Sequence, residues 1–368
     1  MTEPSAPTEP SAPTEPSEPS EPEPTGSEPE PTSSWSRLIA LGALLFVATL
    51  AILLGLGAVG QGAGRENAST AGTPITSAAP TMSQGASSTP SSIPSPTSPG
   101  PAPSGDPVLI GAGDIAYCDR EADSETAALL AGQEGTVFTA GDNAYPDGTT
   151  EQFVDCYGSS WGRELARTRP SPGNHDHHTA DLAGYLGYFG ASAAPDGTAW
   201  YSYDLGTWHV IVLDGTCDAA GGCSADSEQG RWLAADLASS DAVCTLAIWH
   251  QPLFSSGEHG NDTDVAPFWD ALYGAGADLI VNGHDHDYER FAPQDPGGAA
   301  DPARGIREFV VGTGGAELRG FGAQAANSEL RIAGTFGIIR LVLHRGAYEW
   351  SFLATSGAVP DAGGGTCH

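Results

Sequence analysis

Lysine is absent from the 368-residue chain, and its 14 basic side chains, all arginine, face 46 acidic ones. A formal charge of −32 repels nucleic-acid backbones and anionic bilayers, so neither is expected as a partner. Cysteine is missing ahead of Cys118, and charge of either sign is missing from Leu38 to Gly60. These gaps divide the chain into segments of different kinds.

Residues 1–34 open on a six-residue repeat, "TEPSAPTEPSAPTEPSEPSEPEP", whose prolines and glutamates bury too little apolar surface to offset chain entropy. A disordered tail is expected there. Residues 38–60, "LIALGALLFVATLAILLGLGAVG", match the roughly 20 apolar residues that cross a bilayer as a helix. A cleaved signal peptide competes with this reading, but such peptides begin near the N-terminus with a basic stretch, and here the preceding residues 1–34 carry no basic side chain. The expectation is one retained transmembrane anchor. Arg37 and Arg65 flank the span on either side, so loop charge does not orient it. Cysteine does: Cys118, Cys156, Cys217, Cys223, Cys244 and Cys367 all follow the span, and an even number on one side suits an oxidising exterior. Residues 61–106, rich in Gly, Ala, Ser, Thr and Pro, read as a flexible tether. A single-pass membrane protein with its folded part outside the cytoplasm follows, secreted if the span is cleaved.

The folded part, 107–368, holds 36 of the 46 acidic residues and 12 of the 14 arginines, a formal charge of about −24. Solubility, life in salt or acid, or carboxylates clustered around metal would each account for that excess. Its pattern is short strands alternating with helices. "PVLIGAGDIA", "TVFTAGDNAY", "VCTLAIWHQP", "ADLIVNGH", "IREFVVGTGG", "FGIIRLVLH" and "AYEWSFLA" read as strands, and "AWYSYDLG" with "TWHVIVLD" as a hairpin. "SETAALLAGQ", capped by its serine, "SEQGRWLAADLAS" and "VAPFWDALYGAGA" read as helices. Many strands are apolar on both faces, which two stacked sheets with helices outside would bury.

In such sheets the loops leaving the carboxyl ends of parallel strands build the site. Those ends present Asp114, Asp142, Asn174 with His175, His250, and His284 with His286, mostly directly after glycine. Singly, each has an ordinary reading as a cap, a turn or a satisfied polar group. Five strand ends presenting hard or borderline metal ligands in one order do not. His284 and His286, at i and i+2 in "VNGHDHDYERF", would project to one side of an extended segment and reach separate ions. Two ions roughly 3.5–4 Å apart, bridged by Asp142, are the expected arrangement. Oxygen and imidazole donors without thiolate suit iron, zinc or manganese.

The blocks "GD", "GDNAY", "GNHD", "WH" and "GHDH" resemble the calcineurin-like metallophosphoesterases, and among them the purple acid phosphatases, with their DxG, GDxxY, GNH[DE], VxxH and GHxH. "WYSYDLGTWHVIVLD", "GRWLAADLA", "YERF", "FVVGTGG" and "FGIIRLVLH" extend the likeness over about 107–355. The resemblance implies an α/β fold, a four-layer αββα sandwich of two mixed sheets flanked by helices. It implies a first metal held by Asp114, Asp142, Tyr145 and His286, and a second by Asp142, Asn174, His250 and His284. Ferric iron at the first position and zinc, manganese or ferrous iron at the second are implied with it, and a phosphate monoester as substrate. His175 would stabilise the phosphoryl oxygens; His259, in "HQPLFSSGEHG", matches a histidine that contacts phosphate and can protonate the leaving group. His177 and His178 read as exposed loop residues. Ala116 stands where the first block has glycine, and "AIWH" replaces VxxH. With no sandwich domain ahead of it, a minimal catalytic domain on a tether is expected. A phosphodiesterase or nucleotidase on the same scaffold, and a surface protein that kept the fold without the chemistry, are the alternatives.

Six cysteines allow 15 pairings. Proximity along the expected strands favours Cys118 with Cys156, Cys217 with Cys223, and Cys244 with Cys367, the last fastening a Gly-rich tail, "DAGGG", that packing alone would not fix.

Overall fold

The computed structural model describes residues 105–368. The expected tail, the apolar span and all but the end of the tether lie outside the described residues. Among those described, no helix is long and apolar enough to cross a membrane.

The elements run β1 (Val108–Ala112), α1 (Ala122–Ala131), β2 (Thr136–Ala140), α2 (Thr150–Asp155), β3 (Thr168–Ser171), α3 (Ala183–Phe189), β4 (Tyr201–Leu205), β5 (Trp208–Val212), α4 (Glu228–Ser239), β6 (Cys244–Ile248), α5 (Ala266–Ala275), β7 (Leu279–Asn282), β8 (Tyr288–Phe291), β9 (Arg307–Val311), β10 (Ser328–Ile332), β11 (Gly337–His344), β12 (Ala347–Ala354) and β13 (Asp361–Thr366). They form a six-stranded sheet, ordered β13-β12-β11-β1-β2-β3, and a seven-stranded one, ordered β10-β8-β9-β7-β6-β5-β4. Both are mixed. β1, β2 and β3 run parallel in the first, and β5, β6, β7 and β9 in the second.

Ile110, Phe138 and Leu341 of the first sheet join Leu246, Val281 and Phe309 of the second in one buried cluster. Ile211, Ala247 and Ile280, on the other face of the second sheet, meet Leu233 of α4 and Phe268, Trp269 and Leu272 of α5. Strands buried on both faces explain the unbroken apolar runs of the sequence.

Three local expectations need correction. The helix expected to start behind a Ser124 cap begins at Ala122 instead, and Asp123 Oδ1 takes the Ser124 amide at 2.8 Å. β3, β8 and β10, short and partly polar, carried no alternation long enough to announce them. The C-terminal "DAGGG" is β13, paired along β12 from Asp361↔Phe352 to Thr366↔Ala347. Its glycines fix the position: a Cβ at Gly363 would lie 2.3 Å from the Trp350 ring, and one at Gly365 2.5 Å from that of Tyr348. Only a strand without side chains lies flat over these two aromatics.

All three expected disulfides are present, with Cα–Cα distances of 4.7, 5.1 and 5.7 Å for Cys118–Cys156, Cys217–Cys223 and Cys244–Cys367. Cys244 opens β6, whose far end leads to His250, so the last bond secures β13 at the end opposite the candidate ligands. A loop of 123 residues is closed, for which chain-entropy models give about 4–5 kcal/mol. Cys367→Ser should therefore lower the melting temperature while metal content and turnover at 25 °C stay near wild type. Collapse of turnover in a folded variant would place the tail at the site.

Beside that same end, His209 of β5 donates to Asp236 of α4 at 2.8 Å and to Asp204 of β4 at 3.1 Å. These groups line a cavity of about 650 Å³ with Ser202 and Arg345. Burial opposes the charge on His209, but hydrogen bonds to Asp236 and Asp204 outweigh it and raise its pKa. The clamp's contribution is thus full below the unfolded value of about 6.5 and fades as pH climbs above it. Asp236→Asn should lower the melting temperature more at about pH 5.5 than at about pH 9; an equal loss at both would contradict the ionic clamp.

Candidate metal centre

Every loop expected to carry a ligand leaves the carboxyl end of a parallel strand: Asp114 after β1, Asp142 and Tyr145 after β2, Asn174 and His175 after β3, His250 after β6, His284 and His286 after β7. The two sheets meet along this edge. Gly113 N donates to Val311 O at 2.9 Å, and His284 N to Asp114 Oδ2 at 2.8 Å. Three of the candidates adopt left-handed backbone, Asp114 at φ 61°, Asp142 at 50° and His284 at 72°. Non-glycine residues rarely do, and such strain persists where surrounding structure enforces it. For His284 this overturns the expected extended segment, since β7 ends at Asn282 and the chain bends through 284–287. The two histidines reach the site by a sharp turn and not by strand alternation.

Asp114 and Asp142 are 0% and 1% exposed. Tyr145 OH donates between them, 2.8 Å from Asp114 Oδ1 and 3.0 Å from Asp142 Oδ2, and lies 3.2 Å from His286 Nε2. His250 Nε2 stands 3.1 Å from that same Asp142 oxygen and 3.2 Å from His284 Nδ1. Asp142 therefore sits between two groups of donors, Tyr145 with His286 on one side and His250 with His284 on the other. Ala140 O can only accept, so His250 Nδ1 carries the proton in their 2.8 Å bond and turns Nε2 toward the carboxylates. Gly141 leaves room for this ring, because a Cβ there would lie 2.4 Å from His250 Nδ1.

The donor set fits cations. Asn174 Oδ1 is buried without a hydrogen-bond partner, between Gly173 and a His175 whose amide donates to Asp142 Oδ1 at 2.8 Å. Orphaned buried oxygens are rare in folded proteins. Burial works against the charges on Asp114 and Asp142, but His286 and His250 for the first and His250 for the second outweigh it and lower both carboxyls. Burial likewise opposes protonation of His250, yet Asp142 and Asp114 raise it to about 10. Burial and the same two carboxylates push Tyr145 well above its ordinary value. Burial and the neighbouring His250 and His259 lower His284 to about 3. Cations among these groups would take over the balancing of the carboxylates and let His250 and Tyr145 shed protons.

His175 packs against Tyr145, ring centroids 4.4 Å apart, and its Nδ1 donates to Pro146 O at 2.6 Å. The His259 ring stacks on that of His284 at 4.3 Å, and Arg319 donates to its Nε2. Burial, aided by Arg319 and opposed by Asp285, holds His259 below the usual histidine value. His178 is exposed as expected, but His177 is not: its Nε2 lies 2.8 Å from Asp214, which follows β5.

Several contributors carried no role in the sequence reading. Asp176, fully buried, takes Gly173 N at 2.9 Å and Asn143 Nδ2 at 2.9 Å, shaping the loop of Asn174; burial and Asp142 raise it to about 7. Its place in "GNHD" was the available signal. Tyr117 stacks on Tyr145 at 4.7 Å beneath the Arg120 guanidinium, and Arg319 pairs with Glu317 at 2.9 Å. Arg319 follows β9 in a loop without a recognisable motif.

A family model for calcineurin-like phosphoesterases matches residues 102–288. An uncharacterized protein of Mycobacterium tuberculosis is 32% identical over 149 residues, 34% of this chain and 28% of that one. Purple acid phosphatase 21 of Arabidopsis thaliana is 29% identical over 235 residues, 58% and 52% of the two chains. The structure of purple acid phosphatase PPD1 from yellow lupin, Lupinus luteus, superposes with a TM-score of 0.55 at 18% identity, covering 71% of this chain and 53% of that one. The chain thus spans about half or less of these relatives' length, and the last likeness concerns the fold.

Asn174→Ala should be tolerated in the presence of a chelator, shifting stability by less than about 1 kcal/mol, yet should shrink the rise in melting temperature on adding divalent metal. An undiminished rise would remove Asn174 from the ligand set.

Proposed function

The chain belongs to the calcineurin-like phosphoesterase family, and on that premise we propose that it is a dinuclear-metal phosphatase acting on phosphate monoesters. The carrying observation is the convergence of Asp114, Asp142, Tyr145, His250, His284 and His286 from two sheets onto one buried point. Asp114, Tyr145 and His286 would hold the first ion and Asn174, His250 and His284 the second, with Asp142 shared. Ions held there would supply charge to neutralise phosphate oxygens and to lower the pKa of water for in-line attack on phosphorus. Tyr145 supports ferric iron at the first position, because a phenolate is a hard donor. Zinc, manganese or ferrous iron would complete the second. His175 would flank the ester oxygens, and His259, stacked over His284, would meet the leaving group.

The apolar stretch 38–60 supports a membrane anchor, and three disulfides in the domain support an oxidising compartment for it. The catalytic part would then face away from the cytoplasm.

The full chain, loaded with iron and zinc, should hydrolyse p-nitrophenyl phosphate faster than its bis-ester. Absence of hydrolysis of either by protein with both ions bound would sink the reading, and preference for the bis-ester would make it a diesterase. Iron-loaded protein should absorb visible light, and Tyr145→Phe should lose that band; colour that survives the substitution would exclude Tyr145 as a ligand. His259→Ala should slow esters of poor leaving groups about a hundredfold more than good ones, and equal losses would argue against proton donation.

A further inference from the structure

Asp285 stands between the two candidate ligand histidines of "GHDH", fully buried. Its carboxylate serves neither of them. Oδ1 accepts His259 N at 2.8 Å, and Oδ2 accepts Gly260 N at 3.2 Å and the Ser255 hydroxyl. Ser255 Oγ in turn accepts Gly257 N at 2.9 Å. Residues 255–260 are therefore wrapped around one carboxylate. Gly257 is required for the fit, because a Cβ there would fall 2.2 Å from Asp285 Cγ. Among the described residues no other side chain supplies an acceptor to the His259 and Gly260 amides.

The strap is tied a second time. Glu289, fully buried on β8, takes Ser256 N at 2.7 Å and its hydroxyl at 2.5 Å. Ser256 then receives Gly322 N at 2.7 Å and Ala325 N at 2.8 Å from the loop that carries Arg319. Arg319 only donates, so the His259 Nε2 it meets is an acceptor and the ring proton rests on Nδ1. His259 is held at its backbone by Asp285 and at its ring by Arg319, with His284 beneath the ring at 4.3 Å.

We propose that Asp285 is a positioning residue: from beneath the turn it sets the place of His259 over the metal-binding side chains, and so sets how well the leaving group of the ester is handled. The left-handed turn at His284 makes this possible. It lets His286 approach the Asp114 carboxylate and His284 the His250 ring while residue 285 faces the strap. The assignment rests on the phosphatase reading for its chemical consequence, and on the hydrogen bonds alone for its structural one.

Asp285→Asn keeps the volume and leaves one acceptor oxygen for three donors. In metal-free protein, amide hydrogen exchange across 255–260 should quicken relative to wild type, and unchanged exchange would overturn the assignment. In metal-loaded protein, turnover of phenyl phosphate should fall about tenfold or more, as expected for a catalytic group displaced by a fraction of an ångström, and p-nitrophenyl phosphate should fall much less. In the His259→Ala background the same substitution should add no further preference between the two esters. Equal loss on both esters, or a full additional loss beside His259→Ala, would overturn it. Ser255→Ala, which removes one of the three donors, repeats both readouts at smaller amplitude should Asp285→Asn fail to fold. If the wild-type protein hydrolyses no ester, the phosphatase reading falls by itself, and the exchange comparison still decides whether Asp285 fixes the turn.

Discussion

Two carboxylates, Asp114 and Asp142, face one another out of reach of water, both hydrogen-bonded to the single hydroxyl of Tyr145. Like charges brought together in a dry interior are costly unless cations and donors answer them. The surrounding architecture supplies those answers. His286 and His250 stand 3.1 Å from the two carboxylates, and backbone amides of His284 and His175 donate to their remaining oxygens. Strained backbone at Asp114, Asp142 and His284 is the accompanying cost. A fold without chemistry to perform would have little reason to maintain such a pair.

Around this pair lies a ring of buried acidic groups that hold the loops beside the candidate ligands. Asp176 shapes the Asn174 loop, Asp214 anchors His177 behind it, and Asp285 holds the turn of His259. A minority of the acidity that first suggested solubility is thus spent in buried roles. The opposite end of the sheets carries two further stabilising devices, the Cys244–Cys367 bond and the His209 clamp.

Most strands, the three longest helices and the order of the candidate ligands were legible because they depend on local pattern: apolar runs set the sheets, and glycine followed by Asp or His marked the strand ends. What failed depends on tertiary contact. The C-terminal glycines read as slack because the reason for them, the rings of Trp350 and Tyr348, lies on a neighbouring strand. His284 and His286 were placed by strand alternation, and a single positive φ voids that rule while still delivering both rings. Arg319 had no sequence signal, since its meaning comes from a loop that returns to His259. Asp285 was conspicuous in the sequence, but its partners, 25 to 30 residues earlier in the chain, were not.

The central claim is that Asp142 joins two ion sites built from different strand ends. Anomalous diffraction from crystals grown with iron and zinc tests it directly. The account predicts two peaks roughly 3.5–4 Å apart, one beside Tyr145 and His286, the other beside Asn174, His250 and His284, with the Asp142 carboxylate touching both. A single peak, or two that do not share Asp142, would contradict it.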